Sequence, residues 1–414
     1  MQVMASKPAP VALAKDSLVI GLIGLAHAIS HFFHLLLASL FPWIKTAFAL
    51  SYAELGLLMT SFFVVSAVGQ ALAGFVVDKL GARVVLFFGI INLALAALVA
   101  GAAQHYGMLL LASMLAGLGN SVFHPADYTI LNKKVSLARL PHAFAIHGLT
   151  GNLGWAAAPV FLVGIAGIAD WRSALFAAAA LPLLVLALLW VYRDLLDTRE
   201  SASPTAAKAG QAIAPDQEGL LDFLKLPAVW LCFMFFFWLA MALGGVQSFV
   251  PAALRDIYGM SLSLSTSAYT SYMLAAAAGM WYGGFLAASK QHDHIVAFAM
   301  IAAAISALSL ATGLLPAVLA LPGMALVGFA AGVAGPSRDL LIRAAAPKNA
   351  TGRVYGMVYS GLDSGMAIAP LLFGLIMDQH LPRLIFIGIA LFQLCAMATA
   401  LAVGRHNRHL HQAT

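Results

Sequence analysis

Residues 74–83 read Gly-Phe-Val-Val-Asp-Lys-Leu-Gly-Ala-Arg and stand between two long apolar runs. Gly74 is expected to let two helices approach closely, and Gly81 permits a tight turn. The carboxylate of Asp78 can interact with a helix N-terminus or with a basic partner. Arg83 is placed to hold the turn at a membrane surface. The stretch therefore predicts a short charged connection between two membrane-spanning helices.

The composition around this stretch is that of a membrane protein. The chain has 414 residues, of which 62% are hydrophobic and 9% are charged. Average soluble domains are about 45–50% apolar and about 25% charged, and a soluble fold as apolar as this one would expose large apolar patches. The composition excludes an ordinary cytosolic enzyme, a nucleic-acid binder and a disordered chain. The apolar runs are long and continuous, which favours helices over the short alternating strands of a barrel.

Twelve apolar segments are long enough to span a bilayer, so we predict an all-α membrane protein with twelve transmembrane helices. The first segment is too long for a cleaved signal peptide, and eleven more follow it. Both cysteines lie inside apolar runs, which implies no disulfide framework. The predicted segments are 18–41, 54–76, 83–103, 108–131, 142–167, 173–192, 226–254, 266–287, 295–314, 319–342, 353–376 and 384–403.

The lysines and arginines give the predicted orientation. If the N-terminus is cytoplasmic, seventeen of the 22 fall on the cytoplasmic side, and Arg338 falls within a helix. The outer side holds only Lys45, Arg172, Arg255 and Arg383. The positive-inside rule then places both termini in the cytoplasm. We expect a multi-pass protein of a bacterial-type inner membrane. The net charge of +6 is explained by topology and not by a nucleic-acid surface.

The two halves of the chain repeat each other. A shift of 210 residues aligns residues 51–79 with residues 261–289, and a shift of 211 aligns Gly117 with Gly328. A near-constant offset over three helix pairs indicates a duplicated unit. Two six-helix repeats related by an axis along the membrane normal are typical of transporters, whose substrate site lies between the repeats.

The repeat predicts three parts of the chain. Residues 1–192 form an N-terminal six-helix bundle, residues 193–225 a polar cytoplasmic linker, and residues 226–414 a C-terminal six-helix bundle. The linker is rich in charged residues and proline, which is typical of an irregular connection.

The run from Gly74 to Arg83 resembles the signature loop of the major facilitator superfamily. The resemblance implies that Asp78 forms a latch between the halves which breaks and reforms during transport, with Gly74, Gly81 and Arg83 supporting it. In the second half Ala288 stands in place of the acidic residue, so the implied latch is asymmetric.

A closer resemblance is to the fosmidomycin-resistance branch of that superfamily, whose members resemble proton-coupled drug exporters. It is carried by residues 31–34 (His-Phe-Phe-His), residues 117–125 with Phe-His-Pro at their end, and residues 151–154 (Gly-Asn-Leu-Gly). Two departures concern helices 4 and 5. Ser113 stands where many proton antiporters have an arginine, and Ala158-Pro159 replaces their Gly-Pro pair.

Ionisable and polar side chains at membrane depth are costly and are therefore candidates for substrate or proton binding. Helix 1 carries three histidines at positions i, i+4 and i+7, which share one face. Superfamily resemblance implies that helices 1, 4, 7 and 10 line a central cavity. The candidates are His27, His31, His34, Asn120, His124, Asp127, Tyr128, His147, Asn152, Arg338, Asp339, Tyr359 and Asp363.

Each candidate also has a structural interpretation. The histidines can be neutral and hydrogen-bonded to helix carbonyls, whereas their titration near neutral pH suits proton transfer. Asp127 can carry a proton with His124 or form an ion pair. Arg338 suits a phosphonate or carboxylate anion, unless Asp339 or Asp127 neutralises it. Asp363 is a second candidate for proton binding.

Three functions remain open from these residues. The first is a proton-coupled exporter of a small amphipathic or anionic compound such as a phosphonate antibiotic, and the second is a symporter importing an organic anion. The third is a membrane protein that binds metal or haem through the histidines of helices 1 and 4. No Gly-x4-Gly-Lys-Ser/Thr loop occurs in the sequence, which argues against ATP hydrolysis and favours a proton gradient as the driving force. We expect a monomeric non-enzyme without cofactor or metal, whose partners are a small molecule and lipid and not nucleic acid.

Overall fold

The structure is a computed structural model that describes residues 10–136, 139–198, 225–287, 292–345 and 352–412. Within these ranges the regular structure consists of fourteen α-helices and short 3-10 turns, without strands. The helices are α1 (Pro10–His34), α2 (Phe41–Phe48), α3 (Tyr52–Leu80), α4 (Ala82–Gly101), α5 (Tyr106–Asn120), α6 (Phe123–Lys134), α7 (Leu140–Ile168), α8 (Trp171–Val191), α9 (Pro227–Tyr258), α10 (Leu262–Leu286), α11 (His292–Ala311), α12 (Ala320–Ala345), α13 (Gly352–Asp378) and α14 (Arg383–Gln412).

Twelve spans are present, as the sequence predicts. Eleven stretches of the described chain are long and apolar enough to cross a membrane, and one of them, Tyr106–Lys134, comprises both α5 and α6. The twelfth span is α10, which has 25 residues but is rich in serine, tyrosine and glycine. Both cysteines, Cys232 and Cys395, are free.

Two predicted segments are interrupted in the structure, and the last segment, expected to end at residue 403, continues to Gln412 in α14. The first was expected to continue to residue 41, but α1 ends at His34 and a 3-10 turn leads into the separate helix α2. The fourth was expected to be one helix, but it breaks between Asn120 and Phe123. Pro125 explains the break, since a proline has no N–H to donate to the carbonyl four residues earlier and its ring clashes with that carbonyl.

Helices pack mainly within the two halves of the chain. In the N-terminal half (α1–α8), α1 packs on α7 and α4 packs on α5 and α8. In the C-terminal half (α9–α14), α10 packs on α12, and α9 packs on α13 and α14. Among the described residues, the most extensive contacts between the halves are those of α3 with α13 and of α7 with α10. The boundaries of the two predicted bundles stay a prediction, because most of the linker lies outside the described residues.

One close helix contact occurs in both halves at matching positions. A Cβ atom at Gly117 of α5 would collide with the carbonyl oxygen of Phe62 on α3. A Cβ atom at Gly328 of α12 would collide with the carbonyl oxygen of Tyr272 on α10. The glycines are 211 residues apart and their partners 210. The sequence repeat thus corresponds to a repeated backbone contact that only glycine allows.

Contacts between α3 and α13 close the halves together near Ser51, and we call this end of the bundle the Ser51 end. A Cβ at Gly56 would collide with the carbonyl oxygen of Pro370. The Thr60 hydroxyl donates to the carbonyl oxygen of Ala367 over 2.6 Å. These contacts bring the two backbones together over more than one helical turn.

A carboxylate reinforces the same contact between the halves. Asp378, the last residue of α13, accepts hydrogen bonds from the backbone N–H groups of Tyr52 (2.7 Å) and Ala53 (2.9 Å). Both donors lie in the first turn of α3, where N–H groups have no partner within the helix and the helix dipole favours an anion. The last residue of α13, in the C-terminal half, thus caps the N-terminus of α3, in the N-terminal half.

At the opposite end of the bundle, near Gly81, Arg83 contacts the part of the chain that follows α8. Gly81 has a φ of 87°, which suits glycine, and forms the tight turn between α3 and α4 as predicted. Arg83 lies 2.8 Å from the carboxylate of Asp197 and 3.7 Å from that of Asp194. It therefore binds the chain that follows α8, and this first part of the predicted linker is held against the N-terminal half.

The expected close approach at Gly74 does not occur here. A Cβ at Gly74 would meet no heavy atom within 4 Å, whereas Gly56 on the same helix makes the tight contact instead. The side chain of Asp78, the predicted latch, lies outside the described residues. The latch stays a prediction.

These two glycines give a matched pair of variants on α3. Gly56→Ala is expected to destabilise the folded protein by about 1–3 kcal/mol, because the added methyl group must push α13 away. Gly74→Ala is expected to be neutral or slightly stabilising, since alanine favours helix and meets no neighbour. Thermal unfolding of both purified variants measures the difference. Equal melting temperatures would show that the α3–α13 contact does not support the fold.

Candidate functional site

The three histidines of α1 lie on one face, as predicted, and face α7. The ring centroids of His27 and His31 are 4.3 Å apart, and those of His31 and His34 are 4.8 Å apart. Gly151 of α7 makes room for them, since a Cβ there would lie 2.7 Å from the His31 ring. A Cβ at Gly154 would collide with the carbonyl oxygen of Ala28. The two glycines of α7 therefore allow this helix to pack closely against the histidine face of α1.

A fully buried carboxylate lies at one end of this face. Asp127 of α6 has no solvent-accessible surface. Its Oδ2 atom is 3.1 Å from Nε2 of His147 on α7 and 3.5 Å from Nδ1 of His27. The His27 and His147 rings stack with their centroids 3.5 Å apart. The helices α6, α7 and α1 thus contribute one carboxylate and two imidazole rings to a single buried cluster.

Asn120 organises the other end of the histidine face. Its Oδ1 accepts hydrogen bonds from the Ser30 hydroxyl (2.6 Å) and from Nε2 of His34 (2.9 Å). Its Nδ2 donates to the Ser66 hydroxyl over 2.8 Å. Asn120 is the last residue of α5, so the helix break places this amide where it reaches α1 and α3 together.

The hydrogen bonds of His34 determine its tautomer. The indole N–H of Trp155 donates to Nδ1 of His34 over 3.3 Å, so Nδ1 carries no proton. The bond to Asn120 then requires a proton on Nε2. His34 is therefore neutral in this arrangement, and protonation of Nδ1 would break the Trp155 contact.

A second chain of hydrogen bonds crosses from one half to the other. His124 Nδ1 is 2.9 Å from Oε1 of Gln70 on α3. Nε2 of the same Gln70 side chain donates to the carboxylate of Asp363 on α13 over 3.2 Å. Because the amide N–H points to Asp363, its oxygen faces His124 and accepts the histidine proton. The two predicted sites, His124 on α6 and Asp363 on α13, are thus joined by the side chain of Gln70.

The remaining predicted residues take other positions. Tyr128 lies beside the cluster, with its ring centroid 5.0 Å from that of His147. Asn152 is partly buried on α7. Arg338 lies over the Phe236 ring, with its guanidinium carbon 5.4 Å from the ring centroid. The side chains of Asp339 and Tyr359 lie outside the described residues, although both positions are helical.

Sequence reasoning missed four members of the cluster, namely Ser30, Ser66, Gln70 and Trp155. Ser30 had a signal, because it lies three residues after His27 and four before His34 on the histidine face. Ser66 and Gln70 are four residues apart and share a face of α3. Trp155 had no such signal, since an aromatic side chain in an apolar helix usually packs.

Some polar atoms of the cluster remain without a hydrogen bond among the described residues. They are Nδ1 of His27, Nδ1 of His31 and Oδ1 of Asp127. Unpaired buried polar atoms are uncommon because they lose their water without compensation. These three atoms are therefore available to bind a proton or a ligand.

The same side chains include two sets with the geometry of metal ligands. In each set the ligand atoms lie within 4.8 Å of one another, and the sets are His27, His31 and His124, and His27, Asp127 and His147. The metal-binding alternative from the sequence therefore keeps a structural basis. Metal analysis of purified protein distinguishes it from a proton site.

Twelve spanning helices around a buried polar cluster that touches both halves are the architecture of a membrane transporter. The family model described as Major Facilitator Superfamily matches residues 23–370, and the chain belongs to this superfamily. It is thus a multi-pass membrane protein that transports a small molecule and is not an enzyme.

Relatives agree with this assignment. The chain is 26% identical to the fosmidomycin resistance protein of Escherichia coli, over 68% of the chain and 70% of the relative. It is 24% identical to a probable nitrate/nitrite transporter of Mycobacterium tuberculosis, over 80% and 81%. A bacterial homologue of the human lysosomal transporter Spinster, in an inward-facing and occupied conformation, superposes with a TM-score of 0.74 at 18% identity, covering 97% of this chain and 98% of that one.

Replacement of Asn120 tests whether the amide organises the cluster. Asn120→Leu is expected to lower stability by about 1–3 kcal/mol, because Ser30, His34 and Ser66 each lose a buried partner. Asn132→Leu is the control, since Asn132 is exposed and its amide donates to the Tyr128 carbonyl of its own helix. Thermal unfolding of the two variants compares them, and similar melting temperatures would contradict a central role for Asn120.

Proposed function

We propose that this protein is a proton-coupled secondary transporter that exports a small organic molecule by alternating access. The observation that carries the proposal is the Asp127 carboxylate, buried completely against His147 and His27. An isolated buried charge is costly, whereas a proton neutralises the carboxylate. The group is thus stable when protonated in a closed site and releases its proton when the site opens to water.

Gln70 links proton binding to movement of the halves. It bonds to His124 in the N-terminal half and to Asp363 in the C-terminal half. When the halves separate around it, at least one of these bonds breaks and leaves a polar group to find a new partner. The protonation of His124 and Asp363 and the opening of the interface are therefore coupled through one side chain.

The substrate is an anion or an amphipathic molecule in this proposal. The relatives named above are a fosmidomycin resistance protein and a probable nitrate/nitrite transporter, and a further relative is the probable 4-methylmuconolactone transporter of Cupriavidus pinatubonensis, 30% identical over 41% of each chain. The first relative favours export of a phosphonate antibiotic. The other two names concern inorganic anions and an organic compound and give no direction of transport. The second candidate function is a proton symporter that imports an organic anion.

The proposal includes the expected topology. The excess of lysine and arginine on one side supports an orientation with both termini in the cytoplasm. The relatives named above are bacterial proteins, which supports a bacterial inner membrane as the location. The Gly81 end is then cytoplasmic and the Ser51 end faces outwards. The protein works as a monomer, and the proton gradient is its only energy source in this proposal.

Fosmidomycin uptake into proteoliposomes distinguishes export from import. A proton antiporter accumulates the drug in liposomes that are acidic inside, because outward proton flow drives the drug inwards. A symporter accumulates it in liposomes that are alkaline inside. Accumulation that ignores the pH gradient would refute proton coupling, and this thermodynamic result does not depend on how the protein inserts.

Asp127→Asn tests the proposed proton site in the same liposomes. The asparagine keeps the shape but takes no proton, so pH-driven accumulation is expected to be abolished while exchange of labelled for unlabelled drug continues. Asp194→Asn is the control, since the Asp194 side chain is 89% exposed. If Asp127→Asn still accumulates drug against a gradient, the proton is carried elsewhere.

Gln70→Leu tests the bridge between the halves. The variant leaves His124 and Asp363 without their shared partner, so we expect less drug moved per proton and a proton leak in the absence of drug. Ser61→Ala on the same helix is the control, because the Ser61 hydroxyl donates to the Leu57 carbonyl of its own helix. A pH-sensitive dye inside the liposomes measures the leak, and unchanged coupling in Gln70→Leu would overturn this role.

A further inference from the structure

Three imidazole rings from α1 and α6 converge where α7 packs against α1. The ring centroid of His27 lies 4.3 Å from that of His31 and 5.3 Å from that of His124. The centroids of His31 and His124 are 6.4 Å apart. One nitrogen of each ring lies within 4.8 Å of one nitrogen of each of the other two. Zn–N bonds of about 2.0–2.1 Å place the nitrogens of a tetrahedral site about 3.3 Å apart, so rotation of the rings brings the three nitrogens onto one ion.

Gly151 of α7 leaves open a space beside two of these rings. A Cβ atom at Gly151 would lie 3.0 Å from Nε2 of His27 and 2.7 Å from Nδ1 of His31. Nδ1 of His31 is buried and has no hydrogen-bond partner among the described residues. Buried polar atoms are nearly always paired. An ion bound between the two rings supplies a partner that both nitrogens share.

The other nitrogens of His27 and His124 face acceptor oxygens, as they do in metal-binding histidines. Nδ1 of His124 donates to Oε1 of Gln70 over 2.9 Å. Nδ1 of His27 lies 3.5 Å from Oδ2 of Asp127, where a small rotation of the ring forms a hydrogen bond. A proton on Nδ1 leaves a lone pair on Nε2. Histidines that bind metals usually direct their second nitrogen to a carboxylate, a carbonyl or water, which fixes the orientation of the ring.

The third histidine of α1 is not a ligand. Nδ1 of His34 accepts a hydrogen bond from Trp155, and Nε2 donates to Asn120. Both ring nitrogens are therefore occupied. The contrast between His34 and His31, which are three residues apart on one face, separates a structural histidine from one whose nitrogen is available.

The charge around the three rings favours a cation. Asp127 is fully buried, and its ionic contacts among the described residues are with His27 and His147, which carry a charge only when protonated. A buried carboxylate needs a compensating charge. His31 and His124 are half-buried, so an ion reaches the rings from their side of the cluster.

We propose that His27, His31 and His124 form a reversible binding site for a divalent late transition-metal ion, of which Zn²⁺ is the representative. Imidazole nitrogens suit such ions, whereas Mg²⁺ and Ca²⁺ prefer oxygen ligands. Three protein ligands leave the fourth position of a tetrahedral ion to water or to an anion. His124 stands directly before Pro125, so the ion ties α1 to the first turn of α6, beyond the helix break.

This site goes beyond the proposed function and does not rest on it. Binding of the ion requires neither transport nor a proton gradient. The proposed proton carrier Asp127 is not one of the three ligands, and it acts in the protein without the ion.

Zn²⁺ binding to the full chain in lipid nanodiscs tests the proposal, with protein purified through a tag that contains no histidine. Calorimetry is expected to show one Zn²⁺ per chain with a micromolar or lower Kd, and at least about 100-fold weaker binding of Mg²⁺ and Ca²⁺. His31→Phe keeps a ring stacked on Trp155 but removes the nitrogens, so Zn²⁺ affinity is expected to fall at least about 100-fold. His105→Phe is the matched control, because His105 is an exposed histidine just before α5.

The C-terminal histidines require a second control. His406, His409 and His411 offer another group of imidazoles near the end of α14. Replacement of all three by glutamine is expected to leave the one-to-one Zn²⁺ site and its affinity in place. Loss of that site in the triple variant would locate the ion at the C-terminus and overturn the proposal.

Co²⁺ in place of Zn²⁺ reports the geometry of the site. The intense visible absorption of tetrahedral Co²⁺ is expected in the unsubstituted chain and not in His31→Phe. Gln70→Leu removes no ligand but frees the His124 ring, so about tenfold weaker Zn²⁺ binding is expected. This variant and the Co²⁺ spectrum decide the question if the metal-free His31→Phe protein has lost its cooperative thermal unfolding.

Several results would overturn the proposal. They are the absence of saturable Zn²⁺ binding, equal affinity in His31→Phe and the unsubstituted chain, and an octahedral Co²⁺ spectrum. Loss of binding in His147→Phe together with full binding in His31→Phe would also overturn it, because the ion would then lie between His27, Asp127 and His147.

Failure of this inference is distinct from failure of the proposed function. pH-driven drug accumulation by a chain that binds no Zn²⁺ would keep the proton site and remove the metal site. Conversely, Zn²⁺ binding that His31→Phe abolishes would stand even if drug accumulation ignored the pH gradient.

Discussion

The cost of burying polar groups in an apolar bundle is the constraint on which this structure depends. Most helices here are apolar on every side, so a buried polar side chain that does not bond to its own helix needs a partner on another helix. Asp127 meets His147 and His27, and Asn120 joins Ser30, His34 and Ser66. These few polar contacts specify how the helices of the N-terminal half meet, whereas apolar packing alone allows many arrangements.

The glycine contacts and the polar contacts support each other. Gly151 makes room for the His31 ring and Gly154 brings α7 onto the backbone of α1, so the histidine face exists only because that helix pair packs tightly. Between the halves, Gly56 likewise allows the backbones of α3 and α13 to pack closely. That contact lies on the same helix as Gln70, so movement at the interface and the hydrogen bond to Asp363 are mechanically connected.

Periodicity and charge predicted the helices well and their interruptions less well. The predicted spans match the helices to within a few residues in most cases, because an apolar run of about twenty residues has few alternatives in lipid. Pro125 lies in the quoted Phe-His-Pro motif, yet its position did not reveal whether the helix would kink or break. The expected tight packing at Gly74 was wrong because a glycine shows that close approach is allowed, and only the neighbouring helix decides whether it happens.

The sequence by itself determined the class of protein, the number of spans, the repeat and the face of α1 that carries His27, His31 and His34. These follow from local chemistry, namely the length of apolar runs and the periodicity of a helix. Only the tertiary structure decided which polar residues meet. It joined Asp127 to His147, brought Gln70 between His124 and Asp363, and left Arg338 against Phe236. Contacts between residues far apart in the chain depend on how helices rotate and cross, and spacing along one helix carries no information about its neighbour.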